Sequence, residues 1–401
     1  GNFGLLAVNT IAEGDTRQVG LETMLRGGYA IYAAWPNRPW PGAAAVVVSQ
    51  VHIHRGRWQG LYRLNDETVP TISAFLSSEE EWSPKPLRAN GNKSFQGSIV
   101  LGLGFTMSEE QAQSFIARDA RNAESLFPYL NGEDLNSHPE QKASRWVINF
   151  WDWPLDRSAE GSWEAADEDQ RAEWLRDGHV ATDYPGRVAE DFPELLAIVR
   201  EKVKPERDRT NRKERREKWW HFAEKCPALY HAIGRGHSFA RHPAIWEEAN
   251  EGRMTSVLIK VLTSKHHAFV LRNNDATFDQ TNIIFALDSI SAFALLQSSV
   301  HQVWALRQGA SLETRPRYTP TVCFETFPFP SELPGGLLAL GTEYHANRQR
   351  FLLSEGKGLT DFYNLFHDPD CSALRIAEVR ELHRQIDERV LAAYRWADIS
   401  P

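Results

Sequence analysis

Cysteine is scarce in this chain: Cys226, Cys323 and Cys371 are the only three among 401 residues, and they lie far apart. An odd, dispersed set excludes a disulfide framework and a CxxC metal site, and it fits a reducing cytosol. No apolar run approaches the roughly 20 residues that a membrane helix requires, and the opening GNFGLLAVNTIAEG lacks the basic start of a secretory signal. A glycine-rich nucleotide loop is missing too. Gly102 and Gly104 of VLGLGF follow an apolar run, but Met107 stands where GxGxxG needs its third glycine. An S-x-x-Q capping box at Ser108 and Gln111 then opens the next helix late. Close backbone packing explains the two glycines better than a cofactor does. There is no GxSxG nucleophile turn. His52 and His54 alternate along a strand, His266 and His267 project to opposite faces of an extended segment, and neither pair has ligand partners at metal spacing. No metal site is expected.

What is present is segregated charge and abundant aromatic surface. The net charge is -8 with 14 tryptophans, the composition of an ordinary globular chain long enough for two or three domains. Residues 200–218 carry ten basic side chains against five acids, whereas 156–191 carry eleven acids against four arginines. The second segment reads as a surface insertion.

Hydrophobic patterning gives a mixed chain. GLLAVNT at 4–10 has the look of a buried parallel strand. TRQVGLETMLRGG follows as a helix with Val19, Leu21, Met24 and Leu25 near one face and a stop at Gly27 and Gly28. YAIYAAW and AAAVVVSQVHIHR flank the turn PNRPWPG, giving β-α-β-β over about the first 55 residues. Prolines, serines and acids mark 61–92 as a connecting segment. Between 93 and 330, strands (SIVLGLGF, RWVINFWDW, TSVLIKVLT, HHAFVL, NIIFALD) mix with helices (FPELLAIVREKV, SAFALLQSSVHQVWAL). A helical tail closes the chain, with Val379, Leu382, Ile386, Val390 and Ala393 at helical spacing.

One segment stands out chemically. SLETRPRYTPTVCFETFPFP, 311–330, crowds Glu313, Arg315, Arg317 and Tyr318 between prolines that hold the backbone extended. Arginine forks bind guanine O6 and N7, glutamate accepts from cytosine N4, and tyrosine reaches phosphate. Glu313, Arg315 and Arg317 are therefore the candidates for base readout. Lys93, Ser94, Lys204, Arg207, Arg209, Lys260, Ser264, Lys265 and Tyr318 are the candidates for backbone phosphate. Trp35 to Gly42 are candidates for the edge of a base pocket.

These segments also stand in a familiar order. GLLAVNTIAEGDTRQVGLETML, KSFQGSIVLGLGF, LFPYLNGEDLNSHPEQKASRWVINFWDWP, VKPERDR, SLETRPRYTPTVCFETFPFP and VRELHRQIDERVLAAYRW resemble the C-terminal part of DNA adenine methyltransferases. They are most similar to the MmeI-like and related type IIG restriction-modification enzymes, with phage-defence methyltransferases as near cousins. The resemblance implies α/β and α+β classes: strands of a partial Rossmann-like methyltransferase sheet (1–60), a connecting segment (61–92), an α+β DNA target-recognition domain (93–330) and a helical C-terminal segment (331–401). It also implies that the whole enzyme flips an adenine and methylates its N6 from S-adenosylmethionine. The cofactor loop and the (Asn/Asp)-Pro-Pro-(Tyr/Phe) motif of that family do not occur here, and GNFG resembles an entry partway into a fold. The expected partners are double-stranded DNA and an N-terminal methyltransferase region, with or without a nuclease, of the same cytoplasmic protein. This chain is expected to read DNA while binding no S-adenosylmethionine and transferring no methyl group alone. Two other classes compete: an interaction module whose acidic insertion and tail dock a nuclease or helicase subunit, and a nucleotide-dependent enzyme built on VLGLGF.

Overall fold

The computed structural model describes residues 1–42, 46–79, 84–235, 254–312, 315–396 and 398–399. It is mixed α/β with several sheets and a helical C-terminal part. The first sheet contains β1 (Asn2–Val8), β2 (Tyr29–Pro39), β3 (Val47–Arg55), β4 (Tyr62–Leu64) and β5 (Glu67–Val69), in the order β1-β3-β2-β4-β5. β3 is antiparallel to both β1 and β2, so those two run parallel on either side of it.

Three details here differ from the sequence reading. β1 is an edge strand with Leu6 and Val8 exposed, because β3 covers one side of it and no described strand pairs with the other. The helical crossover opens at Gly14 and contains a π-turn over Gln18–Glu22. That extra residue rotates Val19 into solvent while Leu21 stays buried. β2 then continues through Pro39 past two register shifts, so most of the expected PNRPWPG turn is strand.

Residues 61–92 are more than a connector. β4 and β5 extend the first sheet, and Ile72, Ala74 and Leu76 are buried in its core. The Phe75 ring lies between two guanidinium groups, Arg17 at 3.9 Å and Arg307 at 5.1 Å. Asn90 Nδ2 donates to the carbonyls of Phe324 (3.0 Å) and Phe327 (2.7 Å). The segment thereby joins the first sheet to the region beyond it.

The next strands are β6 (Ser94–Gln96), β7 (Thr106–Met107), β8 (Leu126–Leu130), β9 (Arg145–Ile148), β10 (Asp156–Ala159), β11 (His179–Ala181), β12 (Ser256–Val261), β13 (Phe269–Asn273), β14 (Thr277–Phe278) and β15 (Asn282–Phe285). One four-stranded sheet has the order β14-β8-β9-β7 and another β13-β12-β15-β6. The acidic segment 156–191 folds as a small β-α-β surface unit. β10 and β11 pair in parallel across the helix Glu168–Asp177, and Val180, Tyr184 and Val188 are buried against Trp163 and Trp174.

VLGLGF forms no strand. Leu103–Phe105 make a 3-10 turn, and a Cβ added at Gly104 would meet Lys202 Cβ at 2.5 Å. The end of the helix Pro193–Lys202 packs directly against Gly104. The chain's glycines at this point serve packing, and the Ser108–Gln111 capping box is formed as the sequence indicates.

The C-terminal helices Leu337–Glu355, Leu359–Phe366 and Leu374–Ala393 share one core with β12, β13 and β15. Arg348, itself buried, donates to the Phe269 carbonyl (2.8 Å) and to the Tyr363 hydroxyl (2.8 Å), so helix and sheet are hydrogen-bonded as well as packed. The chain crosses residue 330 without leaving this core. Among the described residues no helix is long and apolar enough to cross a membrane.

Gly104→Ala is expected to lower stability by about 1–3 kcal/mol, the usual cost of overpacking a tight contact. Urea denaturation measures it, and an unchanged midpoint would show that the Pro193–Lys202 helix has room to shift.

Candidate nucleic-acid interface

The two outermost strands of this region, β16 (Ala310–Leu312) and β17 (Arg315–Arg317), form an antiparallel hairpin. Alternation along β17 places Arg315 and Arg317 on one face, both exposed, with Pro316 turned the other way. Glu313 lies outside the described residues. The hairpin is too short to stand alone, and its stability comes from its roots.

Gly309 is the first root. A Cβ there would meet the Ala305 carbonyl at 2.7 Å and the Arg317 carbonyl at 2.9 Å, so only glycine lets the hairpin approach the helix Ser299–Gln308 so closely. Tyr318 is the second. It is fully buried, its amide donates to the Leu262 carbonyl (2.7 Å), and its hydroxyl shares a 2.9 Å hydrogen bond with His301 Nε2. Burial, helped by nearby Lys260, pushes His301 down to about 3, so the ring is neutral at physiological pH. The loop after β12 completes the anchoring. Thr263 bridges to Arg317, and the Ser264 amide donates to the Pro316 carbonyl (3.2 Å).

Tertiary packing therefore brings TSKHH and RPR together, two stretches that are about fifty residues apart in the sequence. Lys265 is exposed beside them, and its Nζ donates to Asn364 Oδ1 at 2.6 Å. Nothing local in the sequence marks Asn364, because its role depends on how the Leu359–Phe366 helix packs. On its other side the hairpin faces the first sheet across a cleft of about 540 Å³, lined by Asn9, Glu13, Asn37, Phe75, Arg307 and Pro316. Asn37 and its neighbour Pro36 come from the Trp35–Gly42 segment, while Trp35 itself donates to Asp66 (3.0 Å).

The remaining phosphate candidates are scattered, and four of them are buried polar groups rather than surface ones. Tyr318 is spent on His301. Lys260 is buried, with Nζ 3.4 Å from the His266 carbonyl and 5.5 Å and 5.6 Å from the Phe269 and Tyr318 rings. Burial pushes its amine down to about 7. Arg207 donates to the carbonyls of Val100 (3.1 Å) and Leu101 (2.9 Å), fixing the VLGLGF backbone. Ser94 Oγ is enclosed without a hydrogen-bond partner. For Ser94 and Lys260 the cause is strand alternation, which turns polar residues inward as often as outward; Arg207 instead ends the short helix Lys204–Arg207 and turns in to the Val100 and Leu101 carbonyls. Lys93 is exposed, but the register aligns Ser94 with Phe285 and Phe285 with Leu258, which puts Lys93 at the opposite end of β12 from Ser264. Lys204 pairs with Asp208 (2.8 Å), and Arg209 is exposed close by, both beyond the Pro193–Lys202 helix.

Residues 232–331 match the MmeI target recognition domain family. That span contains β12 to β17, hence the whole hairpin and the loop that holds it. A solved structure, the type IIL restriction-modification enzyme MmeI in complex with DNA, superposes with a TM-score of 0.64 at 15% identity, covering 100% of this chain and 47% of that one. The fold of this chain is thus the fold of about half of MmeI. A second structure, the type IIG restriction endonuclease BpuSI, gives a TM-score of 0.31 at 8% identity, covering 98% of this chain and 48% of that one. No curated protein sequence matches the chain.

Two stability tests follow from the roots of the hairpin. Tyr318→Phe leaves His301 Nε2 without its partner and is expected to cost about 1–3 kcal/mol. Lys260 has the opposite effect. An amine held at about 7 in the fold and at 10.5 when free binds fewer protons folded than unfolded, so its contribution to stability rises with pH across that window. Lys260→Met is expected to raise the melting temperature at pH 7 and to flatten that rise. Melting curves of both proteins between about pH 7 and pH 10 decide it, and an equal slope in the two would show that Lys260 keeps its proton in the fold.

Proposed function

We propose that this chain is the DNA sequence-recognition part of a restriction-modification enzyme, one that methylates adenine N6 from S-adenosylmethionine. The observation that carries the reading is the coincidence of the MmeI target recognition match, 232–331, with an exposed hairpin presenting Arg315 and Arg317 on one face. A two-stranded ribbon of this width enters the major groove, and a guanidinium fork there discriminates guanine by O6 and N7. Glu313, two residues before Arg315 in the sequence, is of a type suited to accept from cytosine N4. Lys265 and Ser264, held against the hairpin, supply backbone contact and so set its register on the duplex.

The chain spans about half the length of the solved protein it matches. In this reading methyl transfer and cofactor binding belong to a methyltransferase region of the same protein, with or without a nuclease. The Gly102–Gly104 pair does not fit a cofactor loop, since a Cβ at Gly104 would meet Lys202 and Val203. The cleft between the hairpin and the first sheet, with Pro36 and Asn37 on its wall, is where a base flipped from the recognised site would pass toward the catalytic region.

Arg315→Ala is expected to relax preference at one base pair, a loss of about 1–3 kcal/mol of discrimination. Lys265→Ala is expected to weaken binding to all sequences alike and to reduce the salt slope by about one ion. Anisotropy titrations over a salt series, with selection of bound sequences, separate the two. Equal losses on every sequence from Arg315→Ala would end its assignment to base readout.

A further inference from the structure

Beyond the hairpin, the loop 263–267 meets the helix Leu359–Phe366 in a cluster whose polar atoms are unevenly satisfied. Asn364 Oδ1 is approached from two sides, by Lys265 Nζ at 2.6 Å and by His266 Nε2 at 2.9 Å. With its oxygen taken by both, the exposed Asn364 still has Nδ2, a double donor, outside these two contacts. His367 lies in the turn just after that helix, and its ring stacks on His266 with centroids 5.3 Å apart and planes 19° apart. Tyr363 stacks on His367 from within the core at 6.0 Å. His266 is half-buried, and Lys265, Asn364 and His367 are exposed.

The charges around this pair are cationic. Lys265 and Lys260 face His266, while Arg380, His383 and Lys265 face His367. Arg380 is spent on the carbonyls of Phe366, Cys371 and Leu365, so it stays fixed beneath the turn. His383 has its own carboxylate, Asp387, at 3.5 Å. Asp368, next to His367, accepts from the Asp370 amide at 3.0 Å. Burial first, and these cations second, lower both ring pKa values; the Asn364 contact opposes this at His266. Two stacked imidazoles beside an ammonium and an exposed amide form a donor set suited to an oxyanion, and an anion there reverses the balance that keeps the rings neutral.

We infer that Lys265, His266, Asn364 and His367 form a backbone-phosphate site for DNA, through which the C-terminal helices extend the contact made by the hairpin. This rests on the DNA-recognition reading above. Ser264 ties the site to the hairpin through the Pro316 carbonyl, so both would meet the same duplex.

Binding a phosphate raises the pKa of the rings, so proton uptake accompanies DNA binding and affinity rises as pH falls. Full uptake of one proton across the interval would give about tenfold per pH unit, and the fractional uptake of rings that are partly protonated correspondingly less. The experiment is an anisotropy titration of the full chain with random-sequence duplex DNA at about pH 6 and about pH 8, comparing wild type with His367→Gln and Asn364→Asp. His367 and Asn364 are exposed, and melting curves verify that both variants fold. The expected result is a several-fold tightening of wild type at the lower pH, a smaller pH slope in His367→Gln, and weaker binding at both pH values in Asn364→Asp. Salt-dependent binding with the same pH slope in wild type and His367→Gln overturns this inference and leaves the recognition reading standing. Inorganic phosphate at equal ionic strength presents the same oxyanion and is expected to compete and shrink the slope; a slope it leaves unchanged also overturns the inference. Absence of salt-dependent binding by wild type overturns the recognition reading and this inference with it.

Discussion

The hairpin that carries Arg315 and Arg317 is held by two buried roots, and the recognition surface proposed for it depends on them. Gly309 permits backbone contact with the Ser299–Gln308 helix that no other residue allows, and Tyr318 places a ring and a hydrogen bond in the interior. The loop after β12 holds the hairpin from the side. A fork of arginines discriminates bases only when its position is held to a fraction of a hydrogen-bond length, so in the proposed reading this burial is a condition of specificity as well as stability.

The same body reaches into both neighbouring regions. Its helices close over β12, β13 and β15, with Arg348 hydrogen-bonded across the seam. On the other side, Phe75 between Arg17 and Arg307, and Asn90 on the carbonyls of Phe324 and Phe327, attach the first sheet. The cleft between hairpin and first sheet is thereby bounded by fixed walls. Part of the charge of the basic run 200–218 is already engaged: Arg207 is buried on a backbone, and Lys204 is paired with Asp208 at the surface.

Much of the fold is legible in the sequence where periodicity is strong. The C-terminal helix shows its buried face in Val379, Leu382, Ile386 and Val390, and the strands TSVLIKVLT and NIIFALD lie where their β-branched runs place them. Legibility fails where a local irregularity or a distant partner decides. The π-turn at Gln18–Glu22 exposes Val19, Ser298 divides an apparently continuous helix in two, and the prolines and acids of 61–92 conceal β4, β5 and a joint. For the site, residue type marks Arg315 and Arg317 as candidates but does not give the orientation of Lys260 or Ser94, since an inward-pointing polar residue in a sheet has the same composition as an outward one, nor that of Arg207 and Tyr318, whose partners are distant in sequence. Asn364 and Gly309 acquire their roles from segments distant in sequence.

The measurement closest to the central claim is hydrogen exchange of the full chain with and without duplex DNA at low salt. Recognition through the anchored hairpin predicts slowed exchange at the amides of 263–267 and 310–317, with the run 200–218 little changed. Slowed exchange confined to 200–218, with the hairpin unaffected by DNA, would contradict it.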